Sequence, residues 1–165
     1  MASAWPARHE TAAASVDAPT LTCSGITFDP SANADDCWYD PAAAEQPVDF
    51  FRECLKHTKG PLAGKPFELT PWQADTTRTL FGWKRPDGTR RFRHCYWTVP
   101  RKNGKTTWVA GIATYVLLCD AEARAENYLC ATARPQAGLA YETIAAMVKA
   151  NPDLLGACEI CLLYT

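Results

Sequence analysis

The chain has 165 residues, 47% of them hydrophobic and 21% charged, with a formal net charge of −1. This is ordinary for one soluble globular domain, which can bury about two-thirds of its unfolded surface, and the total charge points to neither a nucleic-acid nor a membrane partner. Its distribution says more: residues 84–105 hold eight of the 17 Lys and Arg against a single acid, Asp87, so this segment carries about +7 and the remainder about −8.

In chain order, residues 1–22 are rich in Ala, Ser, Thr and Pro and are expected to be disordered or loosely attached. From Pro47 to Lys59, Val48, Phe51, Cys54 and Leu55 recur at helical spacing, with Gly60 as the stop. The connector "GPLAGKPFEL" leads to a second helix of about a dozen residues starting near Pro71. "RPDGTR" is a turn signal, and the aromatic-rich "RFRHCYWTV" reads as a strand ending at Val99. A helix from Lys105 to Ala121 follows, with Val109, Ile112, Ala113, Val116 and Leu117 on one apolar stripe. "NYLCATA" is a further strand and "RPQAGLAYETIAAMVKA" a further helix. Strand, loop, helix, strand, helix is the rhythm of a parallel α/β sheet with crossover helices.

No export signal is visible in the first twenty residues, which carry charges and no continuous apolar core. The longest apolar stretch, Trp108 to Cys119, is 12 residues and includes Thr114, against about 20 for a membrane span. A soluble, cytoplasmic protein is expected. The eight cysteines are scattered, and Cys158 and Cys161 form one C-x-x-C without a second pair or a histidine at matching spacing among His9, His57 and His94. They read as reduced thiols, buried or incidental.

"VPRKNGKTTW", Val99 to Trp108, ends like a phosphate-binding loop, yet Val99 stands where the pattern G-x-x-x-x-G-K-[ST] has its first glycine. The chemistry needs inward-pointing backbone N–H groups, a lysine for the β- and γ-phosphates and a hydroxyl for Mg2+, and Gly104, Lys105 and Thr106 supply these types. The first glycine only eases the exit from the strand, which Pro100 can shape through its fixed φ. The bland alternative is a cationic turn capping a helix. Cations at a helix N-terminus oppose the dipole by about a few tenths of a kcal/mol each, so three of them make most sense around an anion.

This loop resembles the divergent Walker A loop of the terminase large subunit, the DNA-packaging ATPase of tailed bacteriophages. In that family an arginine commonly stands four residues before the lysine, as Arg101 does before Lys105. "KPFELTPWQ", "GWKRPDGTRRFR" and "CATARPQA" fall in the family's order, so the resemblance covers about Gly25 to Pro152. It implies an α/β fold, an incomplete P-loop NTPase with a three-layer, mainly parallel sheet and an N-terminal helical segment. The implied division is residues 23–150 as the first part of the ATPase domain and 151–165 as a divergent or truncated tail. The cofactors implied are ATP and Mg2+. Lys105 would neutralise the β/γ-phosphates, Thr106 would ligate Mg2+ and Arg101 would sense the γ-phosphate. Pro100, Arg101, Lys102, Asn103, Gly104, Lys105, Thr106 and Thr107 would together wrap the triphosphate. Gln73 looks like the family's adenine-reading glutamine, since a Gln amide can pair with N6 and N7 of adenine. It equally fits a capping box with Thr70 as N-cap and Pro71 at N1. Arg134 and Gln136 look like the coupling segment. Arg90, Arg91 and Arg93 could track a phosphate backbone, or merely keep an edge strand soluble.

The expected function is that of a terminase fragment. In the intact protein ATP would drive double-stranded DNA into a procapsid, a nuclease domain would cut it, and portal protein and small subunit would be partners of a ring oligomer. The alternatives are another P-loop ATPase of helicase type and a non-catalytic prophage remnant. "VLLCDAE", ending at Asp120 and Glu122, imitates the second acidic motif of such ATPases but falls on the helix begun at Lys105. Without that motif or a nuclease cluster, the chain alone is expected to bind nucleotide weakly, if at all, and to turn over no ATP. An incomplete parallel sheet should also leave apolar surface exposed.

Overall fold

The computed structural model describes residues 18–23, 26–120 and 124–161. The N-terminal stretch up to residue 17, the position of Glu122 and the last four residues lie outside these. In chain order the elements are β1 (Leu21–Cys23), β2 (Ile26–Phe28), β3 (Trp38–Tyr39), α1 (Pro41–Cys54), α2 (Pro71–Gly82), β4 (Trp83–Lys84), α3 (Lys105–Leu118), α4 (Arg134–Lys149) and α5 (Pro152–Ala157). Among the described residues no helix is long and apolar enough to cross a membrane.

Local chemistry explains where the helices begin. α1 starts at Pro41, ahead of the expected Pro47, because Asp40 caps it: the Asp40 Oδ1 accepts from the Ala43 N–H at 3.0 Å. Pro41 then holds the first helical position, where its missing N–H costs nothing. Pro47 sits inside the helix, fully buried. α2 runs from Pro71 for 12 residues, as its spacing indicates. α5, not anticipated, is capped by Asn151, whose Oδ1 accepts from the Asp153 N–H at 2.9 Å.

The chain divides into two compact units, with the boundary inside α1 between Phe50 and Phe51. In one, formed by 18–50 and 68–98, β1 pairs antiparallel with β2 and β3 with β4. Its core holds Ala44, Phe50, Phe81 and Trp83. Arg78 donates from Nε to Glu45 Oε1 at 2.6 Å and from Nη1 to Asp75 Oδ1 at 3.2 Å, joining α1 to α2. Burial pushes the Tyr39 hydroxyl up to about 12, helped by the nearby Glu45 carboxylate.

The other unit, 51–67 and 99–161, has α3 packed on α4 and α4 on α5. Phe51, Leu55, Phe67, Trp108, Tyr115 and Met147 are buried in it. The Phe51 and Phe67 rings meet edge-to-face with centroids 5.1 Å apart. Asn151 Nδ2 donates to the Cys54 carbonyl at 2.9 Å, anchoring the start of α5 on the end of α1. Burial drives the Cys54 thiol up to about 12, so it acts as a packing group.

Two expectations are corrected. The described residues do not form a parallel sheet: both sheets are two-stranded and antiparallel. Neither 92–99 nor 127–133 enters a ladder, and Tyr96 and Tyr128, 93% and 78% exposed, stand in solvent where a central strand would be covered. Strand propensity is satisfied only when a neighbour supplies hydrogen bonds, and side chains anchor the first of these segments instead. Phe92 meets the Phe28 ring with centroids 6.1 Å apart, and Trp97 stacks on Trp72 at 5.5 Å and 8° between planes.

The second correction concerns α3. The stripe Val109, Ile112, Ala113, Val116 and Leu117 is not the buried face; Val109 and Leu117 are 47% and 46% exposed, while Trp108, Gly111, Thr114 and Tyr115 are buried. Nearly every α3 residue from Trp108 onward is apolar, so periodicity has little contrast to read. Gly111 sets the rotation: a Cβ there would lie 2.3 Å from Phe51 Cε1 and Cζ and 3.0 Å from a Leu55 methyl. Only a residue without Cβ lets the helix approach the Phe51 ring so closely.

Gly111→Ala should therefore destabilise the chain by about 1–3 kcal/mol through overpacking. Gly138→Ala on α4, where a Cβ would meet nothing within 4 Å, should stabilise it by about 0.5–1 kcal/mol through helix propensity. Denaturant unfolding of the two variants beside the parent checks both signs.

Candidate functional site

The loop Pro100–Gly104 ends in a left-handed residue, Gly104 at φ 71 and ψ 14, which serves as N-cap of α3. The first helical bond runs from the Trp108 N–H to the Gly104 carbonyl at 2.9 Å. Lys102 also has positive φ, 70, at a cost of about 1–2 kcal/mol for a residue with a Cβ. Two left-handed residues in three turn the chain abruptly into the helix.

A helix leaves its first N–H groups without intrahelical partners, and they are usually capped by a side chain. Glycine has none to offer, and no other side chain among the described residues caps α3. The N–H groups of Lys105, Thr106 and Thr107 thus have no acceptor among the described residues. They form a cluster of donors at the positive end of the helix dipole.

Lys105 turns back over this turn. Its Nζ donates to the Val99 carbonyl at 2.5 Å and to the Pro100 carbonyl at 3.2 Å. Asn103 Nδ2 donates to the same Pro100 oxygen, also at 3.2 Å. The ammonium therefore stands at the base of the loop with weak neutral acceptors, which a stronger anionic acceptor could replace. Arg101 and Lys102 are exposed and make no side-chain hydrogen bond or ion pair among the described residues.

Thr106 differs from the threonines inside the helices. Thr76, Thr77, Thr79, Thr114 and Thr143 each donate to the carbonyl four residues earlier, at 2.7–2.9 Å. Thr106, exposed in the first turn, has no such bond, and its hydroxyl is available as a ligand. Thr107 beside it is half-buried and likewise unbonded among the described residues.

Gln73 lies in the other unit and is 3% exposed. It closes a capping box, its Oε1 accepting from the Thr70 N–H at 2.9 Å. Arg134 opens α4, and Gln136 Oε1 pairs with the Thr132 hydroxyl at 3.1 Å across that helix start. α3 ends at Leu118, so the Val116–Leu118 part of "VLLCDAE" is helix end and not strand. Arg91 is a structural clamp and does not project into solvent: Nη2 donates to the Asn33 carbonyl at 2.8 Å, Nη1 to the Pro30 carbonyl, and the guanidinium lies 5.1 Å from the Trp83 ring centroid.

The Val99 carbonyl was not among the sequence-predicted participants. Val99 read only as a missing glycine, and no side-chain pattern announces a backbone oxygen. Among the described residues, no group of three or more His, Cys, Asp or Glu stands together.

The family of the terminase large subunit, ATPase domain, matches residues 71–159, more than half of the chain. The match starts at the first residue of α2, contains the whole loop and ends just beyond α5. Neither the curated proteins nor the solved structures give a match. The family match selects the terminase reading over the helicase-like one, and the chain belongs to the terminase large subunit ATPase-domain family.

Proposed function

We propose that the loop Val99–Thr107 binds the triphosphate of ATP in the service of phage DNA packaging. The observation that carries this is the uncapped first turn of α3: three N–H groups without acceptors among the described residues lie behind a left-handed glycine, with the Lys105 ammonium alongside. Such an end is suited to phosphate oxygens, which accept several N–H bonds at once and meet the favourable end of the dipole. In this reading Lys105 leaves the Val99 and Pro100 carbonyls to neutralise the β- and γ-phosphates, while Arg101 steadies the γ-phosphate. Pro100, Lys102, Asn103, Gly104 and Thr107 shape the turn.

The residues present also fit a Mg2+ ion, because the Thr106 hydroxyl is exposed and not bonded to a helix carbonyl. A bound Mg2+ would supply charge neutralisation for the phosphates. Thr106 would hold it through Oγ1, and Lys105 and Arg101 would orient the phosphates around it. In the intact protein, hydrolysis would move double-stranded DNA into the capsid, and the portal protein and small subunit would be partners of a ring assembly.

Adenine contact by Gln73 belongs to the same proposal and competes with the capping box. The amide would leave the Thr70 N–H, at a cost of about 1 kcal/mol, the usual worth of a cap.

Equilibrium binding of Mg·ATPγS to the full chain tests the reading. Lys105→Ala should weaken binding at least tenfold, since a charge-assisted bond to phosphate is worth about 1.5–3 kcal/mol. Equal affinity in the two proteins would overturn the assignment.

Gln73 is tested by comparing two variants in binding and in thermal melting. Gln73→Glu retains an acceptor for the Thr70 N–H and should leave Tm close to that of the parent while weakening nucleotide binding. Gln73→Ala should lower stability by about 1 kcal/mol as well. Unchanged nucleotide affinity in Gln73→Glu would leave Gln73 as a cap alone.

A further inference from the structure

We propose that the hairpin 83–93 is a docking surface for the phosphate backbone of duplex DNA. This rests on the packaging role proposed above for its choice of partner, but uses none of the residues of the nucleotide loop. The hairpin is a fixed object. Arg85 N–H donates to Thr89 O at 2.8 Å, Gly88 N–H to Arg85 O at 2.8 Å and Arg91 N–H to Trp83 O at 2.9 Å, and Lys84 bridges to Arg90. Gly88, at φ 78, takes the left-handed position of the turn.

The charges on this hairpin are sorted. Arg91 is directed inward, to the Pro30 and Asn33 carbonyls and the Trp83 and Phe92 rings, and fastens the hairpin to its own unit. Asp87, the single acid of the segment, has its Oδ1 engaged by the Thr89 N–H at 2.9 Å and the Thr89 hydroxyl at 2.7 Å. Those bonds, with Arg85 and Arg93 nearby, hold its carboxyl below the usual range. Arg90 lies over the Phe81 ring at 5.3 Å. Lys84, Arg85 and Arg93 have neither a hydrogen-bond acceptor nor an ion-pair partner for their side chains among the described residues.

Lys84 and Arg85, half-exposed, and Arg93, exposed, are thus mounted on a hydrogen-bonded turn with Asp87 as its one acid, a single carboxylate shared between Arg85 and Arg93. Charges that merely keep a strand edge soluble need not share one sign, whereas this hairpin carries five cations, Lys84, Arg85, Arg90, Arg91 and Arg93, against one acid. A duplex offers a closely spaced line of phosphates and gains free energy by releasing condensed counterions to each cation that meets it. Such contacts position a protein on DNA without reading its sequence.

Fluorescence anisotropy of a labelled duplex, titrated with the full chain over a series of salt concentrations, tests the proposal. Arg85→Gln/Arg93→Gln should lower affinity at low salt at least tenfold and reduce the salt slope by about two. Asp87→Asn, which keeps an acceptor for Thr89 and removes the negative charge, should tighten binding severalfold. An unchanged slope and affinity in the double variant would overturn the proposal, as would displacement of DNA by polyglutamate at equal charge concentration. Lys105→Ala serves as the control, with Mg·ATPγS binding measured on the same samples. Loss of nucleotide binding with hairpin-dependent DNA binding intact would sink the nucleotide reading alone, and the reverse result would sink the hairpin alone.

Discussion

A helix cannot satisfy its own first turn, and α3 begins behind a residue with no side chain to help it. That constraint underlies the candidate site. Gly104 adopts the left-handed conformation and leaves the N–H groups of Lys105, Thr106 and Thr107 without acceptors among the described residues. A buried or structural helix end would ordinarily acquire a Ser, Thr, Asp or Asn cap, as Asp40 and Asn151 provide for α1 and α5. An end left uncapped and flanked by Arg101, Lys102 and Lys105 is suited to an anion supplied from outside.

The helix carrying that turn is held by close packing and not by a wide apolar stripe. Gly111 admits the Phe51 ring against the α3 backbone, and Trp108 and Tyr115 fill the same face. Trp108 lies one turn beyond the uncapped amides, so this packing also fixes the direction in which they point. The exposed side of α3, with Val109 and Leu117, retains the apolar character that an α/β sheet would cover.

Charge is arranged with similar economy. The cationic segment 84–105 looks uniform in one dimension, but its members do different things. Arg91 clamps a backbone and stacks on rings, Lys105 folds over its own loop, and half-exposed Arg85 and exposed Arg93 flank the single carboxylate of Asp87. A charge count cannot separate these fates, because each depends on which carbonyls and rings lie within reach.

Short-range signals were legible in the sequence: the α2 start at Pro71, the turn at Arg85–Thr89, the α4 span and the capping relation of Thr70 and Gln73. These are set by residues within four positions of one another, where φ preferences and side-chain reach decide the outcome. The loop motif was equally readable, since Gly104, Lys105 and Thr106 announce their chemistry by type and order. The buried face of α3, the inward turn of Arg91 and the absence of ladder partners for 92–99 and 127–133 were decided by tertiary structure. Each depends on a group distant in the chain — Phe51 for Gly111, Asn33 for Arg91 — and one-dimensional periodicity carries no information about which distant surface will arrive.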